Sequence, residues 1–459
     1  MKKDFIDELK KISGEDYVLI DPALAGGYLY DETEIFVRPA AAEGCVVVKP
    51  GGAEEISKII RLANAGSVPV YTRGGGTGLS GGLVPTETGV VLCMERFDRP
   101  IEVDDKNLMV TVGAGVTLGA LTEALDGTEL FFPIHPGEEG AHIGGMAATN
   151  AGGSRAVKHG VMRNQVKGLE VVLPTGEIVS LGGRTIKNNT GYDLMHLMIG
   201  SEGTLGVITK VTLKLYGKPG AMLTAVVSFH KKEDAARAVP ILLQKGIVPL
   251  AVEYIERETA EHSAAHMGLK WPALSGTADL MFVLDGDSED GLFEKCGEII
   301  EVCEECGAAD NAVAECAKDQ RDILAIRSNV YTAYKNEIAD TLDMAVPPAR
   351  MPEFIDQLIA IAARYGTTTP ICGHIADGNI HNFILREDGQ KPPYYDEMTS
   401  AMYEAAINMS GTVTAEHGVG KTRRRHMRAQ LSKRELEIMR AVKSAFDPNG
   451  IMNPGALFI

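Results

Sequence analysis

The sequence predicts an α+β protein of more than one domain. Three observations carry that expectation. The chain has 459 residues, more than one ordinary hydrophobic core organises. Short β-branched runs alternate with stretches of helical period along its length. Glycine gathers in three separate blocks in the first half, where the backbone must turn tightly or approach something closely. A hydrophobic content of 45% against 23% charged residues is globular composition. The net charge of −17, from 62 acids and 45 bases, disfavours nucleic acid and anionic membrane surfaces as partners. No apolar run approaches the ~18 residues of a membrane span, so no transmembrane segment is expected. The opening Met-Lys-Lys-Asp-Phe-Ile-Asp-Glu lacks the apolar core of a signal peptide, so a soluble cytoplasmic protein is expected.

Residues 1–39 read as an N-terminal segment, a charged helix from about Lys3 to Ser13 followed by irregular chain. From residue 40 the pattern becomes that of a folded domain. Val46-Val-Val-Lys-Pro50 is a strand, and Glu54 to Ala65 places Ile56, Ile59, Ile60 and Ala63 on one helical face. Val68 to Thr72 is a second strand. It leads into Arg73-Gly-Gly-Gly-Thr-Gly-Leu-Ser-Gly-Gly82, in which six of ten residues are glycine. Successive backbone N–H groups in such a turn form an anion nest, so the block reads as a pyrophosphate cradle. Gly76 to Gly81 also matches G-x-G-x-x-G, a fingerprint that needs a helix after the loop. Here Leu83-Val-Pro-Thr-Glu-Thr-Gly89 and a strand, Val90 to Met94, follow instead, which argues against an NAD site.

Met109 to Gly113 is a strand, and Gly115 to Leu125 is a helix with Thr117 near its start. A second block runs from Pro136 to Gly160 around Gly144-Gly-Met-Ala-Ala-Thr-Asn-Ala-Gly-Gly153. Its small residues suit a flat ring system lying on backbone. A third, Ile199 to Ile208, precedes a strand from Thr209 to Leu215. Near Lys218-Pro-Gly220 the character changes, and residues 222–420 alternate strands (Leu223 to Phe229, Ala278 to Leu284) with longer helices (Lys232 to Lys245, Met351 to Tyr365). The last segment is a basic helical region and a tail, Phe446 to Gly455.

On these blocks the chain resembles flavoenzymes related to vanillyl-alcohol oxidase and p-cresol methylhydroxylase (PCMH). Within them it is similar to the D-lactate dehydrogenase, glycolate oxidase D-subunit and D-2-hydroxyglutarate dehydrogenase group. The resemblance implies a two-part PCMH-type FAD-binding domain over 40–217, an α+β substrate or cap domain over 218–420, and a C-terminal helical segment over 421–459 that returns to the flavin domain. It implies FAD against Arg73, Gly74, Gly75, Gly76, Thr77, Gly78, Leu79 and Ser80; against Pro136, Gly137, Gly144, Gly145, Thr149 and Gly152; and against Gly203, Val207, Ile208 and Asn453. Non-covalent attachment is expected, with a flavin–histidine link as the alternative.

Two motifs in the second half carry reactive groups. Gly373-His-Ile-Ala-Asp-Gly-Asn-Ile-His381 sets two histidines seven apart around the turn residues Asp377, Gly378 and Asn379. The turn folds both imidazoles toward one point. Glu416-His417-Gly-Val-Gly420 places acid and base beside flexible glycines. Two histidines and a carboxylate suit a divalent first-row cation, and core histidines satisfied by carbonyls are the other reading. The resemblance implies that His374, His381 and Glu416 hold zinc, manganese or iron, that His417 is the catalytic base, and that Arg327 binds the substrate carboxylate. A solvated helix arginine is the alternative for Arg327. The related enzymes have glycine where Ala376 stands, which leaves the loop shape open.

The expected reaction is oxidation of a small D-2-hydroxy acid, D-lactate or glycolate first, with electrons passing to a quinone, an electron-transferring flavoprotein or an iron–sulfur subunit. Such a partner would make the protein peripheral to a membrane, and a homodimer is a further expectation. The alternatives are D-2-hydroxyglutarate as substrate, or a flavin-holding electron-transfer subunit without substrate chemistry. The segment Asp340-Thr-Leu-Asp-Met344 lacks the lysine that members acting on 2-hydroxyglutarate tend to carry. Lys421, Arg423, Arg424, Arg425 and Arg428 read as a solvated helix face, and a docking patch for an acidic electron-transfer partner is the alternative. Cys296, Cys303, Cys306 and Cys316 fit no ferredoxin or zinc spacing and read as reduced structural thiols.

Overall fold

A computed structural model describes residues 1–314 and 316–458. Three large sheets organise the described residues, beside a two-stranded pairing of Leu130–Phe131 with Tyr216–Gly217. The first contains Val18–Leu19, Val46–Val48, Val90–Cys93 and Val70–Arg73 in that order. Its three valine-rich strands are parallel, and their continuous apolar character is what burial on both faces demands. The helix Ala53–Ala65 crosses between two of them and buries Ile56, Ile59, Ile60 and Ala63. The chain after Arg73 reaches Val90 without a helix, so the glycine loop connects two parallel strands directly. The N-terminal segment is less irregular than its sequence suggests. Val18–Leu19 pairs antiparallel with Val46–Val48, because Val18 buries against the same core.

The second sheet is antiparallel, with Ile101–Asp104, Met109–Gly113, Val207–Lys214, Val166–Val172 and Ile178–Gly182 in order. One hydrophobic core joins both sheets and takes in Ile451 and Met452 from the tail. The tail completes the first sheet: the Val70 N–H donates to Ile451 O, and the Asn453 N–H donates to Val70 O.

The third sheet has seven antiparallel strands, Ala308–Val313, Ala221–Phe229, Ala278–Gly286, Ala251–Glu256, Ile371–Gly373, Asn379–Leu385 and Ile338–Ala345. Helices Lys232–Gln244, Glu289–Glu305, Met351–Arg364 and Tyr395–Asn408 cover one face. Cys296 and Cys303 pack there as core residues, and burial pushes the Cys303 thiol up to about 12. The other face carries Arg257–Met267, Ala317–Ser328 and Val330–Tyr334 over one part only. Cross-strand register puts Ile255, Cys372, His381 and Asp343 in one row. Period-two alternation brings Glu253 and Thr341 to the same face.

The basic run after Glu416 is solvated only in part. Lys421 and Arg423 are buried. Arg423 forms two 2.6 Å bonds to Asp340, a planar fork on a carboxylate. Lys421 Nζ donates to Gly82 O and to Asn453 Oδ1. Arg425 and Arg428 are exposed.

One acid pair makes stability depend on pH. Burial, and then the neighbouring Glu233, raise the Asp356 carboxyl to about 6. The folded form therefore holds a proton that the unfolded chain releases near its ordinary value. The contribution to stability is complete below that ordinary value and is lost as pH rises through about 6. The pair is largely solvated, so the effect stays below ~1 kcal/mol. Asp356→Asn should raise the melting temperature by about 1–3 °C at pH 8 and leave it unchanged at pH 4, as read by thermal melts.

Candidate functional site

The three glycine blocks and the two histidine motifs open onto one cavity of about 580 Å³. Gly74, Gly75, Gly76, Thr77, Gly78, Leu79 and Ser80 line one part of it. Pro136, Gly137, Gly144, Gly145, Thr149 and Gly152 line another, and Gly203, Ile208 and Asn453 a third. Two of the expected cradle residues stand off it. Val207 faces the core, since neighbours on a strand point to opposite sides. The Arg73 side chain turns back beside its loop, bonding Gly74 O and lying over the Tyr28 ring.

The blocks are glycine for a geometric reason. A Cβ at Gly75 would lie 2.6 Å from Gly140 O, and one at Gly144 would lie 2.5 Å from Ala114 Cβ. The first and second blocks are thus stacked backbone to backbone. The second block contains a helix, Ile143–Thr149, that its glycine pair masks in the sequence. That helix lies against Ala114, which no larger residue than Gly144 would permit. Thr72 Oγ1 and His142 Nδ1, both from residues lining the cavity, are buried without a hydrogen-bond partner among the described residues. Buried polar atoms are ordinarily paired, so these are unmet partners for a polar ligand in the cradle. A nest of N–H groups, glycine walls and unmet polar atoms fits a dinucleotide such as FAD.

The second block also meets the reactive groups, since a Cβ at Gly152 would stand 2.7 Å from Glu416 Oε2. Glu416 Oε1 faces His374 Nε2 and His381 Nε2, each at 3.4 Å, and His417 Nε2 at 4.0 Å. The turn Ile375–Asp377 produces this convergence, with Gly378 in the left-handed region (φ 87°). Ala376 is buried in that turn, so its methyl is accommodated. His374 and His381 stand edge to face, and His381 and His417 are stacked.

Sequence reasoning missed two carboxylates that hold this arrangement. Glu253 Oε1 accepts from His374 Nδ1 at 2.6 Å, and its Oε2 lies 2.5 Å from Arg327 Nη2. Asp343 Oδ2 accepts the N–H groups of Ala415, Glu416 and His417 and the Thr414 hydroxyl. Its Oδ1 accepts from Asn379 Nδ2. The signal was a charged residue inside each of two apolar strand runs, Ala251-Val-Glu-Tyr-Ile and Thr341-Leu-Asp-Met-Ala.

Asp343, His381, Glu416 and His417 bring ligand atoms within 4.8 Å of one another. Asp343 is already saturated by donors, however, whereas His374 directs its free Nε2 at the same Glu416 oxygen. His374, His381 and Glu416 thus converge on one point, with His417 beside them. The electrostatics agree. Burial would push the Glu416 carboxyl up, but His374 and His381 outweigh it and hold it well below the usual range. Burial would likewise lower His374, yet Glu253 and Glu416 hold it well above its ordinary value. Burial and the adjacent His417 keep His381 below its own, in the neutral form that ligates. A buried anionic pocket that makes one imidazole keep a proton is chemically suited to a divalent cation in that proton's place.

Arg327 is enclosed, its side chain 13% exposed, and is not a surface arginine. Glu253 is its charge partner through Nη2, and Arg327 Nε has no acceptor among the described residues. Arg327 lines the cavity, and its planar guanidinium suits a carboxylate ligand.

Comparison with known proteins gives the family. The family described as "FAD linked oxidases, C-terminal domain" matches residues 218–457, and "FAD binding domain" matches 45–182. The chain is 41% identical over 451 residues to D-lactate dehydrogenase of Archaeoglobus fulgidus, covering 98% of each. It is 32% identical over 464 residues to glycolate oxidase subunit GlcD of Bacillus subtilis, covering 99% of this chain and 97% of that one. The fold is shared with 4-ethylphenol oxidase from Gulosibacter chungangensis, with a TM-score of 0.79 at 18% identity, over 99% of this chain and 97% of that one. No described helix is long and apolar enough to cross a membrane. A two-part PCMH-type fold, a cradle fitted to a dinucleotide and these relatives place the chain among the FAD-linked oxidases, as an oxidoreductase of the D-lactate, glycolate and 2-hydroxyglutarate dehydrogenase family.

Proposed function

We propose that the protein oxidises a small D-2-hydroxy acid, D-lactate or glycolate first, to the 2-oxo acid. The observation that carries this reading is the meeting of the Glu416 cluster and the Arg327 guanidinium in the cavity that the glycine blocks line. Bound FAD supplies the hydride acceptor. Arg327 takes the substrate carboxylate in its fork and sets the orientation of C2. His417 accepts the hydroxyl proton at Nε2, its Nδ1 side facing Asp343 at 4.0 Å. His374, His381 and Glu416 would hold a cation, zinc, manganese or iron, that polarises the substrate oxygens. The division at 40–217, 218–420 and 421–459 fits these roles, with the flavin held by the first part and the substrate by the second. A flavin-holding subunit without substrate chemistry would have no use for the His374, His381, Glu416 and His417 set. The electrons pass to a quinone, an electron-transferring flavoprotein or an iron–sulfur subunit.

The cavity lining favours a small side chain over a second carboxylate. Ala251, Met281, Val283 and Leu324 give it apolar surface, and the hydroxyl residues Ser328, Tyr331, Thr332 and Thr341 supply no charge to pair with one. A buried unpaired carboxylate there would cost several kcal/mol. Lys335 lines the cavity too, but it is exposed and sits 3.3 Å from Glu32. Single-turnover flavin reduction with a panel of D- and L-2-hydroxy acids tests this. D-Lactate should bleach the flavin with a kcat/KM at least about tenfold above that for D-2-hydroxyglutarate. The reverse order would replace lactate by the dicarboxylic acid, and no bleaching by any hydroxy acid would remove the reading.

A further inference from the structure

We infer that Glu202 is a positioning residue that couples occupancy of the flavin cradle to the turn carrying Glu416 and His417. The inference rests on the proposed cation set. Glu202 stands in the third glycine block, yet its role is not that of a cradle wall. Its carboxylate reaches across to the second half of the chain, where Oε1 accepts the Val419 N–H at 2.8 Å and Oε2 accepts the Gly420 N–H at 2.7 Å. A Cβ at Gly418 would lie 2.9 Å from Oε1, so the turn closes tightly over the carboxylate.

The backbone of Glu202 is fixed just as firmly. Its N–H donates to Ala148 O, on the helix of the second block. Its carbonyl accepts from Asn453 Nδ2 at 2.7 Å. Its φ of 52° is left-handed, a region that non-glycine residues enter at a cost and keep only where surroundings over-determine it. Strain of this kind, at a residue whose side chain binds another element, marks a positioning device. The first block joins from the other side. Ser80 O accepts the N–H groups of Lys421 and Thr422, and Ser80 Oγ donates to His417 O.

The physical consequence is reciprocity. A ligand that settles the glycine blocks settles Glu202 and Ser80, and through them the turn that presents Glu416. A cation that fixes Glu416 must then stabilise the same blocks, because a coupling between two binding events is symmetric. Glutamine at 202 would set an amide NH₂ against one of the two N–H donors, so one would lose its acceptor.

The test uses the holoenzyme and zinc as the probe. FAD release is followed by fluorescence after dilution, in saturating Zn²⁺ and in chelator, with zinc content measured in parallel. Zinc should slow release on the order of tenfold in the native protein, within the ~5–150-fold range of such couplings. In Glu202→Gln the zinc effect should shrink to about twofold or less, while circular dichroism stays native. Gly418→Ala, which crowds the carboxylate from the opposite side, should weaken the effect as well and serves if the first variant fails to fold. Equal release rates with zinc bound would overturn the inference while leaving the cation set standing. A full effect retained in Glu202→Gln would overturn it too. A holoenzyme that takes up no zinc would remove the cation set, and the inference with it.

Discussion

Gly75→Val is expected to empty the flavin cradle of an otherwise folded protein. The Cβ alone would lie 2.6 Å from Gly140 O, and that obstacle is backbone of the second block, which cannot swing aside. Opening the seam to admit a side chain costs ~1–3 kcal/mol by the measure of overpacked cores. Spent against cofactor binding, that is a ~10–100-fold loss of affinity. Gly76→Val should have a similar effect for a different reason. Its φ of 82° is unfavourable for a β-branched residue, and the nearest obstacle is the Arg73 guanidinium, the end of a side chain that is able to move. Of the two, Gly75 is therefore the sharper test. The measurement is flavin content per chain from the visible spectrum after gel filtration, beside a circular dichroism spectrum. Full FAD in a well-folded Gly75→Val protein would show that the first block is not the cradle.

Much of this fold could be read before any coordinates, and the parts that could not share a cause. Helices with clean periodicity were visible, such as Ala53–Ala65 with its four buried apolar positions. So was the capped helix after Thr117, whose side chain accepts the Ala120 N–H. The helix Ile143–Thr149 was hidden, because its sequence is chosen to lie against Ala114 rather than to form helix. The burial of Lys421 and Arg423 was hidden for the same kind of reason. A basic run looks solvated until its partners are known, and Asp340, Gly82 and Asn453 are remote in sequence. The site shows the same division. His374, His381, Glu416 and His417 announce themselves by residue type and spacing. Glu253, Asp343 and Glu202 do not, since each acts by accepting hydrogen bonds from groups far along the chain. Sequence shows the groups able to do chemistry more readily than the groups that aim them.

His417→Asn is expected to slow flavin reduction by ~10²–10⁴-fold, the usual contribution of a positioned general base. The imidazole stacks on His381, with its Nε2 4.0 Å from Glu416 Oε1 and its backbone N–H held by Asp343. Asparagine keeps that backbone bond and fills much of the same space but cannot take a proton. FAD and metal content should therefore stay at native levels while the chemical step fails. Glu416→Gln separates the two roles. Among the described residues its carboxylate is the anionic group that both His374 and His381 approach through Nε2. Neutralising it removes the charge that would hold a cation, so metal and activity should fall together. Single-turnover flavin reduction with D-lactate, run on both variants with elemental analysis alongside, distinguishes the outcomes. If His417→Asn reduces its flavin at the native rate across the pH range, the base lies elsewhere in the cavity and His417 serves only to pack against His381. If Glu416→Gln keeps its metal, the cation set must be redrawn around the groups that remain.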